Sequence, residues 1–253
     1  MSTRPSAVAG QFYPTEPMVL TTQLRDWLGA PAASIRPRAL IVPHAGYRYS
    51  GAVAAKAYRL LAGHHYRHCW ILGPAHTHPV EGICLPRWHA FATPLGELAL
   101  ADCPAFAGHP SLYRDNTPHA REHALEVQLP FVQLCLPNSP IVPLIVGYCP
   151  ASEVAQLLTE GLSEQDLLII STDLSHFLPL PQAQQRDQET LSRIQALDPH
   201  LGGQQACGAY PLAGALLWAK QQGLQPQLLD YATSADAGGD PDRVVGYAAL
   251  TLH

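Results

Sequence analysis

Apolar residues in this chain fall into two patterns. At 39–42, 69–72, 141–146 and 167–171 they form short unbroken runs: ALIV, CWIL, IVPLIV and LLIIS. Such runs predict strands covered on both faces, because an exposed face would place a polar residue at every second position. Between and after them, at 19–28, 52–61, 118–135, 152–161, 184–197 and 211–222, the spacing suits helices. Thr117 and Pro118 suit the N-cap and first position of the helix at 118–135, and Pro130 predicts a kink or division within it. Ser152 suits an N-cap and Gly161 a C-terminal stop for the helix at 152–161. Strands at 227–231 and 244–252 finish the chain, and the proline-rich stretch 31–37 reads as a connection into the first strand. Strands alternating with helices predict an α/β fold: a single domain over residues 1–253 with a central, mostly parallel sheet covered by helices on both faces.

Three of the strands end alike. ALIVP runs into His44-Ala45-Gly46-Tyr47, CWILGPA into His76-Thr77-His78, and LLIIST into Asp173-Leu174-Ser175-His176. Ligands of open α/β sheets bind beyond the carboxyl ends of the strands, so parallel strands put His44, His76 and His176 on one rim. Neutral imidazole is the commonest side-chain metal ligand and a natural acid or base near pH 7. Asp173 fits two roles, orienting an imidazole or capping the turn after its strand.

Composition narrows the class. The net charge of −5 gives no footprint for nucleic acid or an anionic membrane, and there is no Lys/Arg run. The six cysteines form no C-x-x-C pair, which argues against a zinc ribbon or a thioredoxin-like motif. The N-terminus lacks the apolar core of a signal peptide, and no apolar run reaches the ~18 residues of a membrane span. A cytoplasmic protein with reduced thiols is the expectation. Of the thirteen histidines, His64, His65 and His68 lie in a polar connection and read as solvated.

Two further groups bear on chemistry. His119-Ala120-Arg121-Glu122-His123 matches the H-x-x-E-H of zinc peptidases, and on one helix His119 and His123 would share a face; Glu122 and His123 also suit the strand-end cleft. Cys207 precedes a helix, where it reads either as a thiol with thiolate character, the form that binds metal, or as a small buried residue. The other five cysteines are assigned no role. Phe12, Tyr13, Tyr47, Tyr49 and Tyr210, with Glu122, His123 and Glu126, are the expected lining of the cleft; core packing accounts for the aromatics as well.

The stretches Gly10-Gln11-Phe12-Tyr13, Pro43-His44-Ala45-Gly46-Tyr47, Leu72-Gly73-Pro74-Ala75-His76, Glu122-His123-Ala124-Leu125-Glu126, Ser171-Thr172-Asp173-Leu174-Ser175-His176 and Cys207-Gly208 occur in an order that resembles the Memo family. The resemblance covers nearly the whole chain and extends to bacterial members called AmmeMemoRadiSam system protein B. It implies the fold of LigB-type class III extradiol dioxygenases, with His44, His76 and Cys207 as metal ligands and His176, beside Asp173, as acid/base. It further implies iron or copper as cofactor, redox chemistry, and AMMECR-like and radical S-adenosylmethionine proteins as partners; animal members have been described as phosphopeptide-binding adaptors. This chain departs from the family pattern at Ala75, where serine is usual, and at Phe12, where tryptophan is common. Cys207 in place of the dioxygenase carboxylate is softer and suits copper or iron redox roles better than ring cleavage. The leading expectation is thus a metal-dependent redox or oxygenase-like protein. The alternatives are a non-catalytic module binding a peptide or small anion, and a zinc hydrolase using His119, Glu122 and His123.

Overall fold

The four unbroken apolar runs meet as parallel neighbours in the middle of one sheet. The structure, a computed structural model, describes residues 2–30, 35–101 and 108–253; Cys103 and part of the 31–37 connection lie outside them. Among the described residues the strands are β1 (Thr3–Arg4), β2 (Ala39–Val42), β3 (Cys69–Gly73), β4 (Ile83–Leu85), β5 (Ala90–Thr93), β6 (Gly96–Ala99), β7 (Leu112–Arg114), β8 (Ile141–Val146), β9 (Leu167–Ser171), β10 (His176–Leu178), β11 (Pro226–Thr233) and β12 (Val244–Leu252). The α-helices are α1 (Pro17–Leu28), α2 (Tyr47–Tyr58), α3 (Thr117–Ala120), α4 (Leu129–Cys135), α5 (Ala151–Gly161), α6 (Leu180–Gln195) and α7 (Ala209–Gln221).

The large sheet runs β10-β12-β2-β9-β3-β8-β4-β7, with β11 also paired to β12; β1, β5 and β6 form a small second sheet. β2, β9, β3 and β8 are mutually parallel, as the helical crossovers through α2 and α5 require. The flanks are antiparallel, β12 against β2 and β4 against β8, so the parallel character belongs to the centre of the sheet.

Successive residues of the central strands face opposite layers, which is why no polar position interrupts them. Leu40, Val42, Ile71 and Ile169 pack under α1, α2 and α4, with Leu20, Leu24, Tyr58 and Phe131. Ile41, Trp70, Leu72 and Ile170 pack under α5, α6 and α7, with Leu158, Leu191, Leu216 and Trp218. Helices thus cover both faces.

Several boundaries differ from the sequence reading. α2 begins at Tyr47 rather than at residue 52, because Tyr47 and Ser50 are buried and Ser50 Oγ donates to Ala45 O. α5 begins at Ala151 with Pro150 as N-cap, so Ser152 is already helical. Gly161 is the last helical residue, and its missing Cβ makes room for Trp70, whose Cη2 would lie 2.5 Å away. The expected helix at 118–135 is three pieces: α3, a 3-10 turn at Glu126–Gln128, and α4. Asn116, not Thr117, is its N-cap residue, and Pro130 sits in the first turn of α4, where a missing N–H costs nothing. The short strands β4 to β7 and β10 went unread because three or four residues carry too little periodicity.

Candidate metal centre

The register of the parallel strands builds the site. Val42 of β2 pairs with Ser171 of β9, so His44 and Asp173, each two residues further on, emerge side by side. His44 N donates to Asp173 Oδ1 at 2.8 Å. His76 follows β3, the neighbour of β9 on its other side. Cys207 enters from the loop before α7, with Cys207 N donating to Asp173 O and Gly208 N to Thr172 Oγ1 at 2.9 Å. A Cβ on Gly208 would stand 2.8 Å from Thr172 Oγ1 and 3.0 Å from Ser171 O, so glycine lets this turn close onto the end of β9.

The result is a cluster of donor atoms. Cys207 Sγ lies 3.2 Å from His44 Nε2, and His44, His76 and Cys207 each offer a ligand atom within 4.8 Å of the others. Donors bound to one tetrahedral ion at 2.0–2.3 Å stand ~3.5 Å apart, so small side-chain movements suffice to close the set.

Hydrogen bonding assigns the tautomers. Ser171 Oγ donates its one proton to Ala124 O at 2.7 Å and accepts from Gln128 Nε2 at 2.8 Å. At 3.0 Å from that oxygen, His44 Nδ1 is therefore the donor, leaving the Nε2 lone pair toward Cys207. His76 Nδ1 lies 2.9 Å from Glu122 Oε1, an acceptor, so its Nε2 also keeps a lone pair. Glu122 Oε2 further accepts from His76 N at 2.6 Å, so one carboxylate grips both the ring and the backbone of His76. This is the carboxylate-to-imidazole support that metal-binding histidines require.

Burial sets the charges. It holds His44 well below the ordinary imidazole range, with His76 and His123 adding to the effect, so the ring is neutral. Burial, reinforced by Asp173, pushes the Cys207 thiol up to about 12. Of the two sequence readings of Cys207, the small buried residue prevails over the thiolate: the helix terminus is a small effect beside desolvation, and without a cation Cys207 is a thiol. Burial also raises the Glu122 carboxyl, but the bonds from His76 and Ala124 outweigh it and bring the group down to about 2. Asp173 is raised by burial, against the opposing bond from His44 N.

A cleft of about 620 Å³ opens over the donors, walled by His76, Cys207, His176, Leu178, Arg186 and Gln204. His176 opens β10, and its Nδ1–H donates to Leu174 O at 2.9 Å, so Nε2 is the ring's proton acceptor. Phe177, next in the chain, is held at a φ of 59°, a strained conformation for an aromatic residue.

The other expected lining residues divide. His123 stacks on His76, with ring centroids 4.7 Å apart, and meets Phe12 at the same distance with the rings tilted by 39°. Tyr49 and Tyr210 are exposed, Tyr210 edge-on to Tyr148. Tyr13, Tyr47 and Glu126 are buried beneath: Glu126 accepts from Arg4 Nη1 at 2.6 Å, Tyr13 OH at 2.6 Å and the backbone of Ala7 and Val8, while Tyr47 OH donates to Val127 O. These three belong to the core and do not line the cleft. His119 is turned away entirely. Its Nε2 meets Cys84 O at 3.0 Å, burial lowers its pKa to about 3, and α3 ends at Ala120, so it shares no helix face with His123. The hydrolase arrangement of His119, Glu122 and His123 does not form.

Sequence reading missed Ser171, Gln128, Arg186 and Gln204. A serine at a strand end and polar residues on a helix or loop carry no signal of their own; pairing across the fold reveals them. Among the described residues, no helix is long and apolar enough to cross a membrane.

Comparison with known proteins identifies relatives of the whole chain. Residues 4–251 match the family model described as Memo-like protein. The chain is 36% identical to a MEMO1 family protein of Methanopyrus kandleri over 98% of each chain. It is 33% identical to one of Aquifex aeolicus over 99% of each, and 36% identical to one of Methanosarcina acetivorans over the full length of both. An uncharacterized protein of Escherichia coli K12 superposes with a TM-score of 0.53 over 85% of this chain and 99% of its own, at 14% identity, a likeness of fold alone.

Proposed function

Since the chain belongs to the Memo-like protein family, we propose that it is a metal-binding redox protein, oxygenase-like in its chemistry, holding one iron or copper ion. The ligands in this reading are His44 Nε2, His76 Nε2 and Cys207 Sγ. The observation that carries it is the pair of committed Nδ1–H groups, which leaves both Nε2 lone pairs available in a donor set with Cys207, whose Sγ lies 3.2 Å from His44 Nε2. Two nitrogens and a sulfur suit a d-block ion and do not suit magnesium or calcium, which take oxygen donors.

A bound ion of this kind supplies one-electron chemistry and Lewis acidity toward an oxygen-bearing substrate. The chain's own residues do the rest. With an ion bound, Cys207 would join the donor set as thiolate and its proton would pass to solvent. Ser171 and Glu122 keep the two imidazoles in the tautomer that presents Nε2. Asp173 holds the backbone of His44 and of Cys207 in the same turn. His176 accepts a proton at Nε2 from a group bound in the cleft, its ring steadied by Leu174 O.

Elemental analysis after anaerobic loading with Fe(II) or Cu(I) tests the assignment. The expected result is one ion per chain in the wild type and a trace in His44→Ala. Equal, negligible metal in both sinks the proposal and leaves the cleft as a binding module.

A further inference from the structure

Arg186 stands in the cleft wall beside His176 and Cys207, yet nothing in the fold uses its charge. It projects half-buried from α6, and among the described residues its guanidinium forms no ion pair; Nη1 donates to Gln204 Oε1 at 3.3 Å. The carboxylates of its own helix turn and of the metal centre are committed elsewhere. Asp187, its neighbour in the chain, accepts from Ser175 N and Tyr231 OH, both at 2.9 Å. Asp173 is tied to His44 N and Glu122 to His76. Arg193 on the same helix shows the ordinary fate of such a residue: it is exposed, pairs with Asp198 and donates to His200 O. In a chain of net charge −5, a cleft walled by a guanidinium that has no ion pair among the described residues is a local positive site.

We propose that Arg186 makes this cleft a receptor for a small organic oxyanion, whose carboxylate or phosphate it clamps while the remainder of the molecule faces His76 and Cys207. The guanidinium fork matches two oxygens of either group, and Gln204 aims it. The cleft, about 620 Å³, holds a molecule of one or two rings. A metal bound there rests on the function proposed above, and its net charge beside a single thiolate would add to the same preference; the Arg186 contact itself does not depend on it.

Calorimetric titration with 4-hydroxybenzoate, phenyl phosphate and phenol tests the inference on wild type, Arg186→Gln and Arg186→Lys, each with its metal content measured. Wild type is expected to bind at least one anion about tenfold tighter than neutral phenol; Arg186→Gln loses that preference and Arg186→Lys keeps part of it, because lysine offers charge without the fork. The better of the two anions identifies the oxyanion. No preference in wild type, or the same preference in Arg186→Gln, overturns the proposal even where metal loads. A preference that vanishes in Arg186→Gln while no protein takes up metal supports it and counts against the redox reading alone.

Discussion

Glu122 and Glu126 are one helical turn apart in sequence, both are buried, and they serve opposite ends. Glu126 closes a network: Arg4, Tyr13, Ala7 and Val8 all donate to it, and Arg4 donates further to His119 O, Glu122 O and Pro5 O. Glu122 opens one: its bonds pass through the His76 ring and end in a lone pair at Nε2, facing a cleft. A buried polar network in which every donor meets an acceptor has nothing left to offer a ligand, and its worth is in fixing the chain. One that stops short on a supported imidazole is prepared to bind. The comparison separates structural from functional carboxylates where residue type and spacing cannot.

Four experiments would break or sharpen that contrast. The largest effect on the open network belongs to Cys207→Ser, which removes a donor itself; metal affinity should fall by more than the ~100-fold limit for losing an orienting partner, with the fold intact by circular dichroism. Retained affinity would remove Cys207 from the ligand set. For the closed network, Glu126→Gln should cost roughly 3–5 kcal/mol in urea unfolding, because it strands the buried Arg4 charge. Full metal uptake by the folded fraction is expected, and loss of uptake at unchanged stability would erase the distinction.

Glu122→Gln should behave the other way, weakening metal binding by about 10- to 100-fold through the freed His76 ring, with less loss of stability than Glu126→Gln. The smallest effect is in pH dependence. His119 and Glu122 both have lowered pKa values in the folded protein, about 3 and about 2, against ordinary values of 6.5 and 4.5. In each case the unfolded chain takes up the proton first, so stability falls with pH: from 6.5 toward 3 for His119, and from 4.5 toward 2 for Glu122. The urea midpoint should decline below pH 6.5, and His119→Gln should lessen the decline between 6.5 and 4.5 without abolishing it, since His44 and His123 are also held below the ordinary imidazole range, while leaving metal content unchanged. A midpoint flat over that window in the wild type would contradict the buried neutral ring.

The chain's local pattern determined its layers. Unbroken apolar runs this short, set between helical patterns, read as strands covered twice, and their ends named His44, His76 and Asp173, because position relative to a strand end is local information. Resemblance to a family supplied Cys207, which no spacing connects to His44 across 163 residues. Tertiary structure alone decided the remainder. Whether His119 shares a helix with His123 depended on Arg4, whose Nε binds the carbonyl of His119 and whose Nη2 binds that of Glu122 as the chain leaves the short α3. Which carboxylate served the site, which imidazole nitrogen kept its lone pair and which arginine stayed uncompensated were settled by partners distant in sequence. Hydrogen-bond satisfaction is a property of the folded neighbourhood, and the same residue types in the same order are compatible with either outcome.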